Sequence, residues 1–129
     1  TKEEDHNLLM ILGVSACFSA REDGTVELPF EPRTGVLQPE IWQRWLDWDP
    51  VRMVPKYADG LRSVRAIWID AGTRDEWFLD LGASAFRAAL LENGVAEDVI
   101  RFELFEGTHM GIDYRYPMAL AWLCRRMAG

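Results

Sequence analysis

The chain has 129 residues, 49% of them apolar, and a formal net charge of −7 at pH 7. The length predicts one domain over residues 1–129, and the apolar fraction is enough to build a hydrophobic core, which argues against a disordered chain. Acidic residues are scattered over most of the chain and no basic patch occurs, so neither a nucleic-acid partner nor an anionic membrane partner is expected.

The N-terminal region is apolar but too short to span a membrane. Residues 8–14 form the longest apolar run, whereas a spanning helix needs about 20 residues. Residues 1–5 are acidic and lack the pattern of a signal peptide. Residues 7–18 are expected to form a buried strand, although a short apolar helix has the same pattern.

Cys17 and Cys124 are expected to be buried free thiols, because two cysteines form no disulfide framework, and a reducing cytoplasmic location follows.

The middle of the chain, residues 19–62, is expected to be an irregular excursion followed by a tryptophan-rich helix. Glycines and prolines interrupt its first half, and Pro39 suits the first position of an amphipathic helix that ends at Asp49 and Pro50. Three tryptophans recur at every third position of that helix: Trp42, Trp45 and Trp48. They can form a packing stripe or an aromatic platform for a ligand.

The second half, residues 64–129, has the pattern of a strand–helix–strand–helix unit. The predicted elements occupy residues 64–69, 76–93, 100–105 and 114–127. The near-continuous apolar run of the first strand is typical of a parallel strand covered on both faces, and Gly94 stands where a glycine ends a helix. A right-handed crossover through the first helix makes the two strands parallel.

One acid and one histidine follow these two strands. Asp75 and His109 are 34 positions apart in the chain, but the carboxyl ends of neighbouring parallel strands meet at one edge of a sheet, so the two side chains are expected to meet. A carboxylate that accepts the Nδ1 proton of a histidine fixes its tautomer and leaves Nε2 free to act as a base. Taken alone, Asp75 also suits the N-cap of the helix that follows it.

Two segments carry a family resemblance. They read Asp-Ala-Gly-Thr-Arg-Asp-Glu at residues 70–76 and Phe-Glu-Gly-Thr-His-Met-Gly at residues 105–111. Both resemble the C-terminal signature of the branch of the α/β-hydrolases that contains esterase D and S-formylglutathione hydrolase-like enzymes. The resemblance implies an α/β fold, namely the C-terminal half of a hydrolase sheet without its nucleophile elbow. It also implies that Asp75 is the triad acid and His109 the triad histidine.

The nucleophile of that family is not found in these 129 residues. It normally stands in G-x-S-x-G on a strand–turn–helix elbow. The nearest match is Gly-Val-Ser-Ala-Cys at residues 13–17, which lacks the second glycine. Ser15, Ser19 and Ser63 are therefore expected to satisfy backbone groups, and Ser84 to lie exposed on a helix. No oxyanion-hole segment is identified.

The sequence thus leaves two functions open. The resemblance implies a serine carboxylic-ester hydrolase that acts on a small ester through an acyl-enzyme, with the nucleophile upstream of this chain and with no cofactor or metal. The alternative is a truncated, non-catalytic hydrolase-like module that acts in binding or oligomer assembly. An unpaired sheet edge and an exposed apolar face predict a homo-oligomer or association with the missing hydrolase half.

Overall fold

The structure is a computed structural model that describes the backbone of residues 2–128 and the side chains of residues 5–128. It divides between Arg52 and Met53 into two compact units. The single domain expected from the length stays a prediction. Within residues 2–128, no helix is both long enough and apolar enough to cross a membrane.

The first unit begins with helix α1, Lys2–Ser19. The expectation of a buried strand over residues 7–18 was therefore wrong. A strand needs a neighbour to bond its backbone, and the nearby segments offer only isolated bridges, whereas a helix satisfies its own backbone groups. Leucine, methionine and alanine are also strong helix formers, so the local propensity agrees with the result.

An irregular segment follows α1, as expected. Two isolated antiparallel bridges, Ala20 with Val26 and Phe30 with Leu37, fold it back on itself. Helix α2, Pro39–Leu46, begins at the predicted proline but ends before the predicted boundary at Asp49 and Pro50. The tryptophan stripe is consequently split, because Trp48 lies beyond the helix end and is 60% exposed.

The other two tryptophans of the stripe are packing residues. The ring centroids of Trp42 and Trp45 lie 6.0 Å apart, and Trp45 lies 5.8 Å from Phe18 of α1. The indole N–H of Trp45 donates to the hydroxyl of Ser19 at 3.0 Å. The contacts of Trp45 with Phe18 and Ser19 join α2 to α1, so the packing interpretation is confirmed for Trp45.

The second unit is a small α/β arrangement. In chain order its elements are α3 (Pro50–Met53, which crosses the boundary), a 3₁₀ turn (Pro55–Tyr57), α4 (Ala58–Ser63), β1 (Ile67–Gly72), α5 (Leu79–Glu92), a second 3₁₀ turn (Glu97–Val99), β2 (Ile100–Phe105) and α6 (Arg115–Ala128). Strands β1 and β2 pair in parallel, with Ile67 opposite Ile100 and Gly72 opposite Phe105. The predicted order of elements and the parallel pairing are confirmed.

Both faces of this two-stranded sheet carry a helix. Helix α5 contributes Leu90 to a core with Val54 and Val95, and Ile67 and Ile69 of β1 pack against it. On the opposite face, Trp68 of β1 meets Trp122 of α6 with ring centroids 5.8 Å apart. Gly94 ends α5 with φ +81, the left-handed backbone expected of a glycine there.

The two cysteines differ from expectation in one respect. Cys17 and Cys124 are both free, as predicted, but both are exposed. Each lies on a helix, and successive residues of a helix point in turn towards the packed face and towards solvent. Apolar neighbours in sequence therefore do not by themselves bury a helical cysteine.

Candidate functional site

The loops that follow β1 and β2 are bonded to each other beyond the ends of the strands. The N–H of Thr73 donates to the carbonyl of Phe105, and the N–H of Arg74 donates to the carbonyl of Gly107, both at 2.9 Å. A Cβ at Gly72 would lie 2.8 Å from the carbonyl oxygen of Thr108 and closer still to that of Gly107, so only a glycine fits this position. The two loops are thereby held side by side.

This arrangement brings Asp75 and His109 together. The Oδ2 atom of Asp75 lies 3.0 Å from Nδ1 of His109, so the predicted meeting of the two side chains is confirmed. The side chain of Asp75 is 4% exposed and that of His109 is 28% exposed. An ionised carboxylate only accepts hydrogen bonds, so the proton of this pair resides on Nδ1.

The second oxygen of Asp75 serves the helix that follows. Oδ1 accepts the backbone N–H of Trp77 at 2.8 Å and that of Leu79, the first residue of α5, at 3.5 Å. The capping role and the histidine-orienting role therefore use different oxygens and do not compete. Burial acts to raise the pKa of Asp75, but the hydrogen bonds from Trp77 and His109 outweigh it, so the pKa lies below its ordinary value. Asp75 is ionised at neutral pH.

Two further residues hold His109, and the sequence analysis missed both. Glu76 accepts the backbone N–H of His109 with Oε2 at 3.0 Å, and this hydrogen bond is the main cause that lowers the pKa of Glu76. The ring of Trp77 lies 4.2 Å from the imidazole, centroid to centroid. Asp75, Glu76 and Trp77 are consecutive, so a single turn fixes the ring nitrogen, the backbone and one face of the histidine.

The remaining ring nitrogen of His109 is free to react. Among residues 5–128, no protein group forms a hydrogen bond with Nε2. In a neutral imidazole whose proton is on Nδ1, the lone pair is on Nε2, and the partly exposed ring can offer it to a hydroxyl group or to water. The pair is therefore equipped for general-base chemistry.

The serine hydroxyls are all engaged elsewhere. Each donates to a backbone carbonyl: Ser15 to Ile11, Ser19 to Ser15 or Glu27, Ser63 to Gly60, and Ser84 to Asp80. The expectation that Ser15, Ser19 and Ser63 satisfy backbone groups is confirmed, and Ser84 is exposed on α5 as predicted. Ser15 is fully buried within α1, so an ester cannot reach it in this conformation.

Within the side chains that the structure describes, no three histidine, cysteine, aspartate or glutamate residues converge to hold a metal ion.

No family model matches the chain, and no curated protein matches it in sequence.

Proposed function

We propose that Asp75 and His109 are the acid and the base of a serine carboxylic-ester hydrolase. The nucleophilic serine would come from a part of the protein outside residues 1–129, on the other half of an α/β-hydrolase sheet that β1 and β2 extend. The substrate would be a small carboxylic ester. The chemistry requires no cofactor.

One observation carries the proposal, namely the 3.0 Å contact between Asp75 Oδ2 and His109 Nδ1. An N-cap alone would not need it, because the cap uses Oδ1. The contact points Nε2 away from the carboxylate, and the pair follows successive parallel strands in the order acid then histidine. That order and placement are those of the α/β-hydrolase triad.

The proposed reaction has two stages. Nε2 of His109 takes the proton of the serine hydroxyl as the oxygen attacks the ester carbonyl, and the tetrahedral intermediate collapses when His109 returns that proton to the leaving alcohol. A water molecule then attacks the acyl-enzyme, with His109 again taking and returning the proton. In each stage the carboxylate of Asp75 stabilises the imidazolium that forms.

The test is an ester-hydrolysis assay on the protein expressed from its complete reading frame. For p-nitrophenyl acetate, His109→Ala is expected to lower kcat by about 10⁶-fold and Asp75→Asn by about 10⁴-fold, the usual costs of removing a triad histidine and a triad acid. The chain offers two matched controls. His6→Ala changes the other histidine, which is exposed on α1, and Asp98→Asn changes a carboxylate that is 81% exposed.

Unchanged kcat in His109→Ala would refute the proposal, as would equal losses in the two control variants. A loss confined to His109→Ala and Asp75→Asn supports it.

A second candidate function, a non-catalytic module for binding or assembly, has one specific observation in its favour. Consecutive apolar side chains of α1 are exposed, among them Leu8 at 59% and Leu9 at 68%. Contiguous apolar surface of this kind is typical of an interface. If the whole protein hydrolyses no ester but self-associates through α1, this second function is favoured over the first.

A further inference from the structure

Arg115, the first residue of α6, is a buried cation that the proposed reaction does not use. Its side chain is 7% exposed. Nε lies 2.8 Å from Oδ2 of Asp70, and Nη2 lies 2.9 Å from Oε2 of Glu103. The guanidinium also lies 4.5 Å from the ring centroid of Phe105. The guanidinium is therefore held by one residue of β1 and by two residues of β2.

The two carboxylates are paired by the sheet itself. Asp70 and Glu103 are direct partners in the parallel register of β1 and β2. Like charges at opposed positions on neighbouring strands repel each other, and Arg115 supplies the positive charge between them. The ion pair to Arg115 is the main cause that holds the pKa of Glu103 below its ordinary value, so Glu103 is ionised at neutral pH.

The position of Arg115 in the chain links this cluster to the histidine. Residues 106–114 form the loop that carries His109, and Arg115 ends that loop where α6 begins. Its guanidinium lies against the ring of Phe105, the last residue before the loop. The two ends of the histidine loop are thus fixed to one point of the sheet.

A chain of contacts continues from that point to the acid loop. The ring of Phe105 lies against the α-carbon of Gly107, where a Cβ would come within 2.7 Å of it. The carbonyl of Gly107 in turn accepts the N–H of Arg74, the residue before Asp75. A shift of Arg115 would move Phe105 and Gly107, and hence the spacing between the two loops.

We propose that Arg115 is a positioning residue that sets the distance between Asp75 and His109 by closing the base of the histidine loop. The inference extends the proposed function, because the pair that Arg115 would position is the proposed acid and base. Its structural part can nevertheless be measured without any ester substrate.

Two variants distinguish a positioning role from a purely structural one, because a purely structural role would leave the tautomer of His109 unchanged in any variant that folds. Buried ion pairs usually add little to stability, and well-packed apolar residues of similar volume often replace them without loss. The variant Asp70→Asn/Glu103→Gln/Arg115→Met removes all three charges together and is expected to fold. Arg115→Lys keeps the charge but loses the planar fork that reaches two carboxylates at once.

The readout is nitrogen-15 NMR of the His109 imidazole in the 129-residue chain, which reports the protonated ring nitrogen. The wild type is expected to carry its neutral-form proton on Nδ1. Both variants are expected to lose this single tautomer while keeping the backbone spectrum of a folded chain. In the whole protein, kcat is expected to fall by about 10²-fold with KM unchanged, as for a displacement of about 1 Å between reacting groups.

Arg101→Met is the matched control, because Arg101 also approaches Glu103, at 3.6 Å, but its side chain is 52% exposed. It is expected to leave the tautomer and kcat unchanged. A folded triple variant with the wild-type tautomer, or an equal effect of Arg101→Met, would overturn the inference. Altered tautomers in a protein without esterase activity would support the positioning role and refute the proposed hydrolase, so the two failures are distinguishable.

Discussion

The α-carbon of Gly72 lies against the backbone of Gly107, so closely that a methyl group at residue 72 would collide with the Gly107 carbonyl. This contact joins the end of β1 to the start of the loop that follows β2, where the two loops bond to each other. Because these loops carry Asp75 and His109, we expect the separation of the two side chains to depend on this contact.

Gly72→Ala is therefore expected to destabilise the chain by about 1–3 kcal/mol, the usual cost of overpacking a close contact. Urea unfolding followed by tryptophan fluorescence measures this change. Gly82→Ala is the matched control, because Gly82 lies inside α5 with open space around its α-carbon. Alanine at that position is expected to stabilise the chain by about 0.5–1 kcal/mol. Destabilisation by Gly82→Ala equal to that by Gly72→Ala would contradict this account of the contact.

The pH dependence of stability reports the environment of Asp75. Its pKa is lower in the folded chain than its ordinary value, so the native state favours the ionised form. This contribution is fully present above the ordinary pKa and is lost as the pH falls through the folded pKa. Between about pH 6 and about pH 2, the free energy of unfolding should therefore fall less steeply in Asp75→Asn than in the wild type. A slope unchanged in Asp75→Asn, or lowered equally in Asp98→Asn, would be inconsistent with this assignment.

The 129-residue chain by itself is expected to show little or no esterase activity. Its four serine hydroxyls all donate to backbone carbonyls. Without a nucleophile, the rate of ester hydrolysis falls by several orders of magnitude even when the base is in place. Hydrolysis of p-nitrophenyl acetate measures this directly. Turnover that disappears in Ser15→Ala would instead identify Ser15 as the nucleophile, and would require α1 to open.

Self-association is expected through α1. Leu8 and Leu9 lie side by side in sequence and are mostly exposed, and large apolar patches are rare on monomers. Light scattering at micromolar concentration should give the mass of a dimer, most simply a two-fold one. Leu8→Gln/Leu9→Gln should shift the mass towards the monomer, while Val36→Gln, at another position that is 65% exposed, should not. A monomeric wild type would argue against the assembly function.

Much of the second unit could be predicted from the sequence because its signals are local. The predicted strand at residues 100–105 coincides with β2, and the crossover rule gave the parallel pairing. Once two parallel neighbours are established, their carboxyl ends must meet, so the contact of Asp75 with His109 followed from topology alone.

The first unit was harder to predict for a physical reason. Residues 8–14 of α1 form a continuous apolar run, so their pattern has neither the helical period nor the alternation of a strand. The contacts of Glu76 and Arg115 could not be predicted from the sequence either. Each depends on a contact with a residue more than 30 positions away, and charged residues at such separations give no periodic signal.

The central claim is that His109 activates a serine outside residues 1–129, and labelling with a fluorophosphonate probe tests it most directly. The protein from the complete reading frame would be treated with the probe, digested and analysed by mass spectrometry. The account predicts one labelled serine outside this chain, with labelling abolished in His109→Ala and retained in His6→Ala. Absence of labelling in the wild type, a label on Ser15, Ser19, Ser63 or Ser84, or labelling that persists in His109→Ala, would contradict it.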